Sequence, residues 1–182
     1  MAPSRPHWAL PLFLGVLVTC WGCSDTSSSL ALSVEGPEKL PTLLSDGILV
    51  ESDGDSEWTR DVDCRVSLGS EGSSYRLVVS DRSIGDGLEL DLMILLYEGP
   101  GDYERDEFQP QPALSLVLEE EGNTWRFGSD SGGACRFSLG EQSRSGSFDC
   151  WDIPIIENFE ISSSTIQVNG SWTCGLLRRE VW

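Results

Sequence analysis

Residues 88–97 read LELDLMILLY, and residues 98–103 continue with EGPGDY. Leucine or isoleucine stands at every second position of the first segment, which is the side-chain period of a β-strand and not of a helix. The intervening positions begin with Glu89 and Asp91 and then become apolar. We therefore expect a strand that is half-buried at first and buried on both faces later. The Gly-Pro-Gly turn at 99–101 ends it, and the pattern is that of a central strand in a β-sheet domain.

The rest of the chain repeats this alternation in shorter segments. Turns rich in glycine, serine and acidic residues separate them, and no stretch of helical length keeps a 3.6-residue apolar period. The segments lie at 47–50, 58–68, 75–79, 113–118, 124–127, 135–139, 148–150 and 166–172. Together with 88–97 they predict an all-β fold, an antiparallel β-sandwich or flattened barrel of about nine short strands.

The N-terminal residues have a different character. Arg5 precedes an apolar run at 8–18, WALPLFLGVLV, which is too short to span a bilayer as a helix, and two cysteines follow in LVTCWGCSD. This arrangement resembles the signal of a bacterial lipoprotein, in which a lipid is attached to the cysteine just after the cleavage site. The resemblance is confined to this region and implies export and a membrane anchor. An ordinary signal peptide cleaved nearby is the alternative.

Two cysteines are candidates for the lipid. Cys20 has Leu17 at the expected distance but the rather large Thr19 immediately before it, whereas Cys23 follows a glycine and has Cys20 at the leucine position. Lipidation of Cys23 would remove Cys20 by cleavage and leave four other cysteines. Lipidation of Cys20 would leave Cys23 unpaired, which is unusual in an oxidising compartment. We favour Cys23, with Cys20 as the alternative.

The chain accordingly divides into three parts. Residues 1–22 form the signal peptide, residues 23–46 a flexible tether punctuated by serine, threonine, glycine and proline, and residues 47–182 the β-sandwich domain. Within the tether, LALSV at 30–34 offers an alternative, because it could pack as an edge strand.

Four cysteines remain for a disulfide framework. Cys135 and Cys150 flank a loop rich in turn residues, GEQSRSG, and a hairpin centred there sets the two cysteines opposite each other. Cys64 would then pair with Cys174 and tie an early strand to the last one. A zinc site is the competing interpretation, but the chain has no CxxC spacing and export favours oxidation.

Two short motifs recur in the chain. DCRVSLG at 63–69 resembles ACRFSLG at 134–140, and GSFDC at 146–150 resembles GSWTC at 170–174. One interpretation is two related halves of the sheet. The favoured one is that cysteine-bearing strands beside a turn look alike, because the copies are short and their order is not a clean tandem.

Composition argues against several classes of function. The chain has 12 basic and 30 acidic residues, a net charge of −18 that disfavours nucleic acid and anionic membrane surfaces as partners. Its one histidine, His7, lies in the signal, so no histidine remains for a catalytic triad, a Cys-His pair or a metal site. No nucleophile elbow, P-loop or dinucleotide-binding motif is found. We predict no enzymatic activity; a carboxylate-dependent hydrolase is the least favoured alternative.

Acidic loops are weak candidates for calcium. Alternating carboxylates around Gly54 offer the oxygen ligands that Ca²⁺ prefers, although their spacing is not that of an EF-hand. These residues are Glu51, Asp53, Asp55 and Glu57. Asp81 and Asp86 lie in a second acidic loop. The favoured interpretation is that solvated charges keep the sheet edges soluble.

Aromatic residues are the other binding candidates. Tyr97 and Tyr103 flank the Gly-Pro-Gly turn and could contact a carbohydrate or peptide, or they could cap the core. An exposed row of tryptophans would indicate glycan stacking, whereas scattered ones belong to the core. The tryptophans concerned are Trp58, Trp125, Trp151 and Trp172.

These observations predict an exported, lipid-anchored protein of the cell envelope, facing the periplasm or the outside. Its β domain would be a non-catalytic binding or structural module without a cofactor. Its partners would be the membrane, through the N-terminal lipid, and an envelope protein or glycan. The alternative is a calcium-stabilised adhesion domain or a carbohydrate-binding domain.

Overall fold

A computed structural model describes residues 27–36, 47–52, 60–70, 72–105, 112–157 and 160–181. Within these ranges the chain forms strands and one short 3-10 helix, and no helix there is long and apolar enough to cross a membrane. The elements are β1 (Ser28–Glu35), β2 (Ile48–Ser52), β3 (Arg60–Gly69), β4 (Gly72–Asp81), β5 (Gly87–Leu95), β6 (Gly101–Arg105), β7 (Ala113–Glu120), β8 (Asn123–Gly128), the 3-10 helix (Ser129–Ser131), β9 (Ala134–Leu139), β10 (Ser145–Glu157), β11 (Glu160–Thr173) and β12 (Leu177–Val181). The all-β prediction is confirmed, and β1, β6 and β12 are the strands that it lacked.

All twelve strands belong to one continuous sheet. Its order is β12-β3-β4-β5-β7-β8-β10-β11-β1-β2, and β9 pairs with both β10 and β6 beside this path. Neighbouring strands are antiparallel except β12, which runs parallel to β3, so the sheet is mixed. The sheet curls until its two halves face each other across one core, where Cys174, just after β11, is bonded to Cys64 of β3. The flattened barrel is therefore the better of the two predicted descriptions.

A bulge in β10 lets one strand serve both halves of the sheet. Residues 146–151 pair with β9, whereas Ile155 and Ile156 pair with β8, and the register shifts between these two stretches. Asp152 has a positive φ of 57° at this point. Gly133 lies against the bulge, because a Cβ there would come within 2.8 Å of the Trp151 and Asp152 carbonyl oxygens. Bulges of this kind are how strands turn the corner between packed layers.

The central position of β5 is confirmed, since it pairs with β4 on one side and β7 on the other. Leucine and isoleucine at 88, 90, 92 and 94 are buried, as the alternation predicted. The expectation of burial on both faces is wrong at the end of the strand. Leu95 is 44% exposed, and Leu96 leaves the strand with a positive φ of 55° and is 73% exposed.

The prediction of a flexible tether is wrong for Ser28–Glu35. This segment is β1, an interior strand between β11 and β2, and it buries Leu30, Leu32 and Val34 in the core. The two-residue apolar period of LALSV therefore outweighs the turn-forming residues that flank it. Residues 23–26 and 37–46 of the predicted tether lie outside the described ranges.

The GSFDC and GSWTC repeat has a local structural explanation. In the β10–β11 pairing Gly146 lies opposite Trp172, and Phe148 lies opposite Gly170. Each glycine thus makes room for the aromatic ring of the other motif, and the two rings contact each other with centroids 6.2 Å apart. Aromatic residues commonly cover strand glycines in this way. The two motifs are antiparallel neighbours, which is a packing solution that needs no duplicated half-sheet.

Candidate binding surface

The positions of the cysteines confirm the pairing predicted from the sequence. Cys135 and Cys150 are register partners in the β9–β10 hairpin, with Cα atoms 4.1 Å apart, and form one disulfide. Cys64 and Cys174 form the other, with Cα atoms 6.2 Å apart. All four side chains are buried, so both bonds belong to the core.

A buried hydrogen-bonded group surrounds the long-range disulfide. The indole Nε1 of Trp172 donates to the Tyr75 hydroxyl at 2.8 Å, and that hydroxyl donates to the Cys64 sulfur at 3.2 Å. Tyr75 is fully buried, so its hydroxyl would be costly without these partners. The arrangement joins β3, β4 and β11, and we assign it a structural role.

Tyr75 should make the fold sensitive to alkali. Burial raises the pKa of Tyr75 far above its ordinary value of 10.0, and the hydrogen bond from Trp172 offsets only part of that shift. Above pH 10 the unfolded chain loses this proton before the folded chain does, so stability is fully present below that pH and is lost as pH rises. Urea unfolding from about pH 9 to about pH 11 should show this loss. The Tyr75→Phe variant should not show this loss of stability between about pH 9 and about pH 11. An equal pH dependence of stability in both proteins would contradict the assignment to Tyr75.

The structure brings Tyr97 and Tyr103 together. Their rings stack with centroids 6.2 Å apart, and both lie half-buried against the core. The Tyr103 hydroxyl accepts from the Glu98 amide at 3.1 Å and donates to the Gly99 carbonyl at 2.6 Å, while the Tyr97 hydroxyl is hydrogen-bonded to Ser143. Their polar atoms therefore hold the turn in place, which favours the capping role over direct ligand binding.

Exposed apolar side chains lie beside these tyrosines. Leu95 is the register partner of Ser74, Leu68 is the partner of Ser73, and the Leu96 side chain reaches the space above Gly72. The three leucines thus lie around the β3–β4 turn at one end of the sheet, with Leu68 on the core-side face and Leu95 on the outer face. We call this set, Leu68, Leu95 and Leu96, the leucine patch. The sequence pattern missed it because the apolar period continues through Leu96 as if that residue were buried.

Leu96 lowers the stability of the folded protein in two ways. A left-handed backbone conformation is unfavourable for a residue with a Cβ, and an exposed leucine side chain gains nothing from burial. Glycine adopts this conformation without the steric cost. Leu96→Gly should therefore raise the free energy of unfolding by about 1 kcal/mol, measured by urea denaturation. Leu95→Gly is the matched control and should destabilise, because Leu95 is a strand residue. A loss of stability in Leu96→Gly would contradict the assignment of backbone strain.

The carboxylates of the second acidic loop have structural partners. Asp81 is buried and accepts hydrogen bonds from the Ser83 amide at 2.7 Å and the Ser83 hydroxyl at 2.6 Å, with Arg60 at 3.5 Å. Asp86 accepts from the Gly122 amide at 3.3 Å and joins two turns. Among the residues that the structure describes, no group of three His, Cys, Asp or Glu is arranged to hold a metal ion.

A shallow, open groove of about 500 Å³ lies over parts of β1, β2, β10 and β11. Its lining is small or apolar and contains no charged side chain. The lining residues are Ala31, Leu32, Ser33, Gly47, Ile48, Leu49, Phe148, Asn169, Gly170 and Ser171. The described residues of this lining include no carboxylate, histidine, lysine or arginine.

Several predicted residues can be placed and others cannot. Trp172 is buried and Trp125 and Trp151 are half-buried, on three different strands, so these three form no exposed row. Glu51 is an exposed residue of β2. The remaining candidates lie outside the described ranges: Cys20, Cys23, Asp53, Asp55, Glu57 and Trp58.

No family model, no curated protein and no solved structure matches this chain. The candidate site consists of a buried disulfide core, two tyrosines that fix a turn, and the leucine patch.

Proposed function

We propose that this protein is an exported, lipid-anchored component of the cell envelope, and that its β domain is a non-catalytic module that binds another envelope protein. The N-terminal lipid sits on Cys23, with Cys20 as the alternative. The domain faces the periplasm or the outside.

The export part of this proposal is supported by the N-terminal residues and by the cysteines. Arg5, the apolar run at 8–18 and the two following cysteines fit a lipoprotein signal. Two buried cysteine pairs at bonding distance fit an oxidising compartment, where disulfides persist. A cytosolic protein would rarely keep such a framework.

The binding part rests on one observation, the exposed and strained Leu96. A single exposed leucine is ordinary, but here three exposed leucines lie around the same turn, and one of them has an unfavourable backbone conformation. Strain of this kind persists where the surrounding structure holds it in place, and it is enriched at sites that contact ligands. An apolar patch at the end of a rigid sheet suits a protein partner better than a glycan, whose hydroxyl groups need polar or aromatic contacts.

The intact mass of the protein purified from its native envelope tests the anchor. We expect a chain that starts at Cys23 with the added mass of acyl groups, and a gain of four protons on reduction from the two disulfides. A start elsewhere without acyl groups would overturn the lipid anchor. Four free thiols would overturn the disulfide framework and the oxidising compartment inferred from it.

A photo-crosslinking amino acid at position 96 tests the binding surface in the native envelope. We expect one defined protein adduct from position 96 and none from position 49. Leu49 is the matched control because it is also an exposed leucine, 61% exposed, but lies on β2 outside the leucine patch. Equal adducts from the two positions would mean non-specific contact and would overturn the assignment.

A further inference from the structure

The free edge formed by β12 has an unusual composition for this acidic protein. Among the described strands β12 pairs only with β3. Leu176 and Val181 stand at its two ends and are 60% and 79% exposed. Arg178 and Arg179 lie between them and are exposed. We call these four residues the β12 edge; they combine exposed apolar and basic side chains.

The start of the domain lies beside this edge. The Gly175 amide donates to the Ser28 hydroxyl at 3.1 Å, so the first residue of β1 adjoins the residue before Leu176. Ser28 is five positions after Cys23, and an extended chain of five steps spans at most about 18 Å. A lipid on Cys23 would therefore keep the start of β1, and the β12 edge with it, close to the bilayer surface.

Arginine side chains gather on this side of the surface, beside the carboxylates of Asp63 and Glu180. The chain has only 12 basic residues, and Arg65 is the direct register partner of Arg178. Asp63, which bonds Arg178 at 3.3 Å, is only 5% exposed, so the arginine side chains cover that carboxylate. Arg144 lies close to this edge, because its carbonyl accepts a hydrogen bond from the Cys174 amide at 2.6 Å. Its side chain is exposed. Guanidinium groups are well suited to bind phosphate oxygens.

We propose that the β12 edge rests on the surface of a phospholipid bilayer. Leu176 and Val181 enter the interface between headgroups and acyl chains, and Arg178 and Arg179 bind lipid phosphates. The net charge of −18 disfavours a strongly anionic membrane, so headgroups that carry a phosphate without net charge suit this surface best. The inference rests on the proposed anchor, which would hold this edge beside the bilayer surface.

Hydrogen exchange of the tethered protein tests this orientation. The chain starting at Cys23 is coupled through that thiol to a maleimide lipid in phosphatidylcholine vesicles, so the tether does not depend on acylation in the cell. Amide exchange over residues 176–181 is compared with that of the same chain in solution. We expect exchange at the β12 edge to slow roughly tenfold on the vesicles. Exchange that is unchanged by tethering would overturn the proposal.

Matched variants separate the apolar and basic contributions. The double variant Leu176→Ser with Val181→Ser should lose most of the protection, and Arg178→Gln with Arg179→Gln should lose part of it. Leu49→Ser and Arg136→Gln are the controls, because they change an exposed leucine on β2 and an exposed arginine on β9. Equal losses in variants and controls would overturn the assignment.

A second copy of the chain is the competing occupant of this edge. It would protect residues 176–181 in solution as protein concentration rises, without vesicles, and that result would overturn the membrane assignment. The intact-mass experiment tests the anchor separately. Absence of acyl groups there, with protection on the vesicles here, would leave a membrane-contacting edge on a protein without a lipid anchor.

Discussion

Replacing both Cys64 and Cys174 by alanine should lower the free energy of unfolding by roughly 4–5 kcal/mol. The bond joins residues separated by 110 positions, so its loss releases a long loop in the unfolded chain. The bond also supports the buried Tyr75 hydroxyl, which donates to the Cys64 sulfur. Domains of this size have a total stability of about 5–15 kcal/mol, so the variant should be close to unfolding at room temperature. Urea denaturation followed by tryptophan fluorescence measures the loss.

The second disulfide provides the matched comparison. Cys135 and Cys150 are separated by 15 positions and lie opposite each other in a hairpin, so the double alanine variant should lose only about 3 kcal/mol. A larger loss of free energy of unfolding for the Cys64–Cys174 pair would support loop closure as the main contribution of each bond. Equal losses, or a larger loss for Cys135 and Cys150, would mean that local packing and not loop closure determines the contribution of each bond.

The cysteine pairing could be predicted because one pair is indicated by a local hairpin and leaves only one other pair among the four cysteines. The loop between Cys135 and Cys150 contains enough turn-forming residues to specify a hairpin, and the register found in the structure is the one that the sequence implies. The Cys64–Cys174 pair then follows by elimination. Nothing in the sequence indicates that β3 and the end of β11 face each other, because that contact depends on how the sheet curls.

The strands absent from the prediction are those whose partners compensate for weak local signals. β12 reads LRREV and has too few apolar residues to alternate. It is nevertheless held by a ladder with β3 and by two ion pairs, Arg178 with Asp63 and Glu180 with Arg65. β6 is short and contains only Tyr103 as an apolar residue that packs on the core. β1 has a clear two-residue period, but the serines and glycine that flank it are typical of a linker. Pairing with neighbouring strands, and not the local sequence pattern, determines that these three segments form strands.

The candidate surface was only partly predictable for a related reason. Tyr97 and Tyr103 could be selected because they flank a recognisable turn. Leu96 could not, because its type fits the buried pattern and only the backbone conformation shows that it points outward. A sequence pattern of period two predicts which face a residue occupies only while the strand continues, and β5 ends at Leu95.

Gly146 is where a single added methyl group should have a large effect on the fold. A Cβ there would lie 2.5 Å from the Ser138 carbonyl oxygen and 2.5 Å from two carbons of the Trp172 benzo ring. Trp172 cannot withdraw easily, because it is buried and its indole nitrogen is hydrogen-bonded to Tyr75. Gly146→Ala should therefore lower the free energy of unfolding by about 3 kcal/mol, the upper end of what overpacking costs.

A double-mutant cycle shows whether the ring of Trp172 is the cause. Trp172→Phe removes the two ring carbons that the new methyl group would meet, so the double variant should lose about 1 kcal/mol less than the sum of the single losses. Gly69→Ala is the control, because a Cβ there would be 3.6 Å from its nearest neighbour, an ordinary contact. Strictly additive losses would place the conflict at the Ser138 carbonyl alone. That outcome would remove the packing explanation for the GSFDC and GSWTC repeat, in which each glycine exists to accommodate the aromatic residue opposite it.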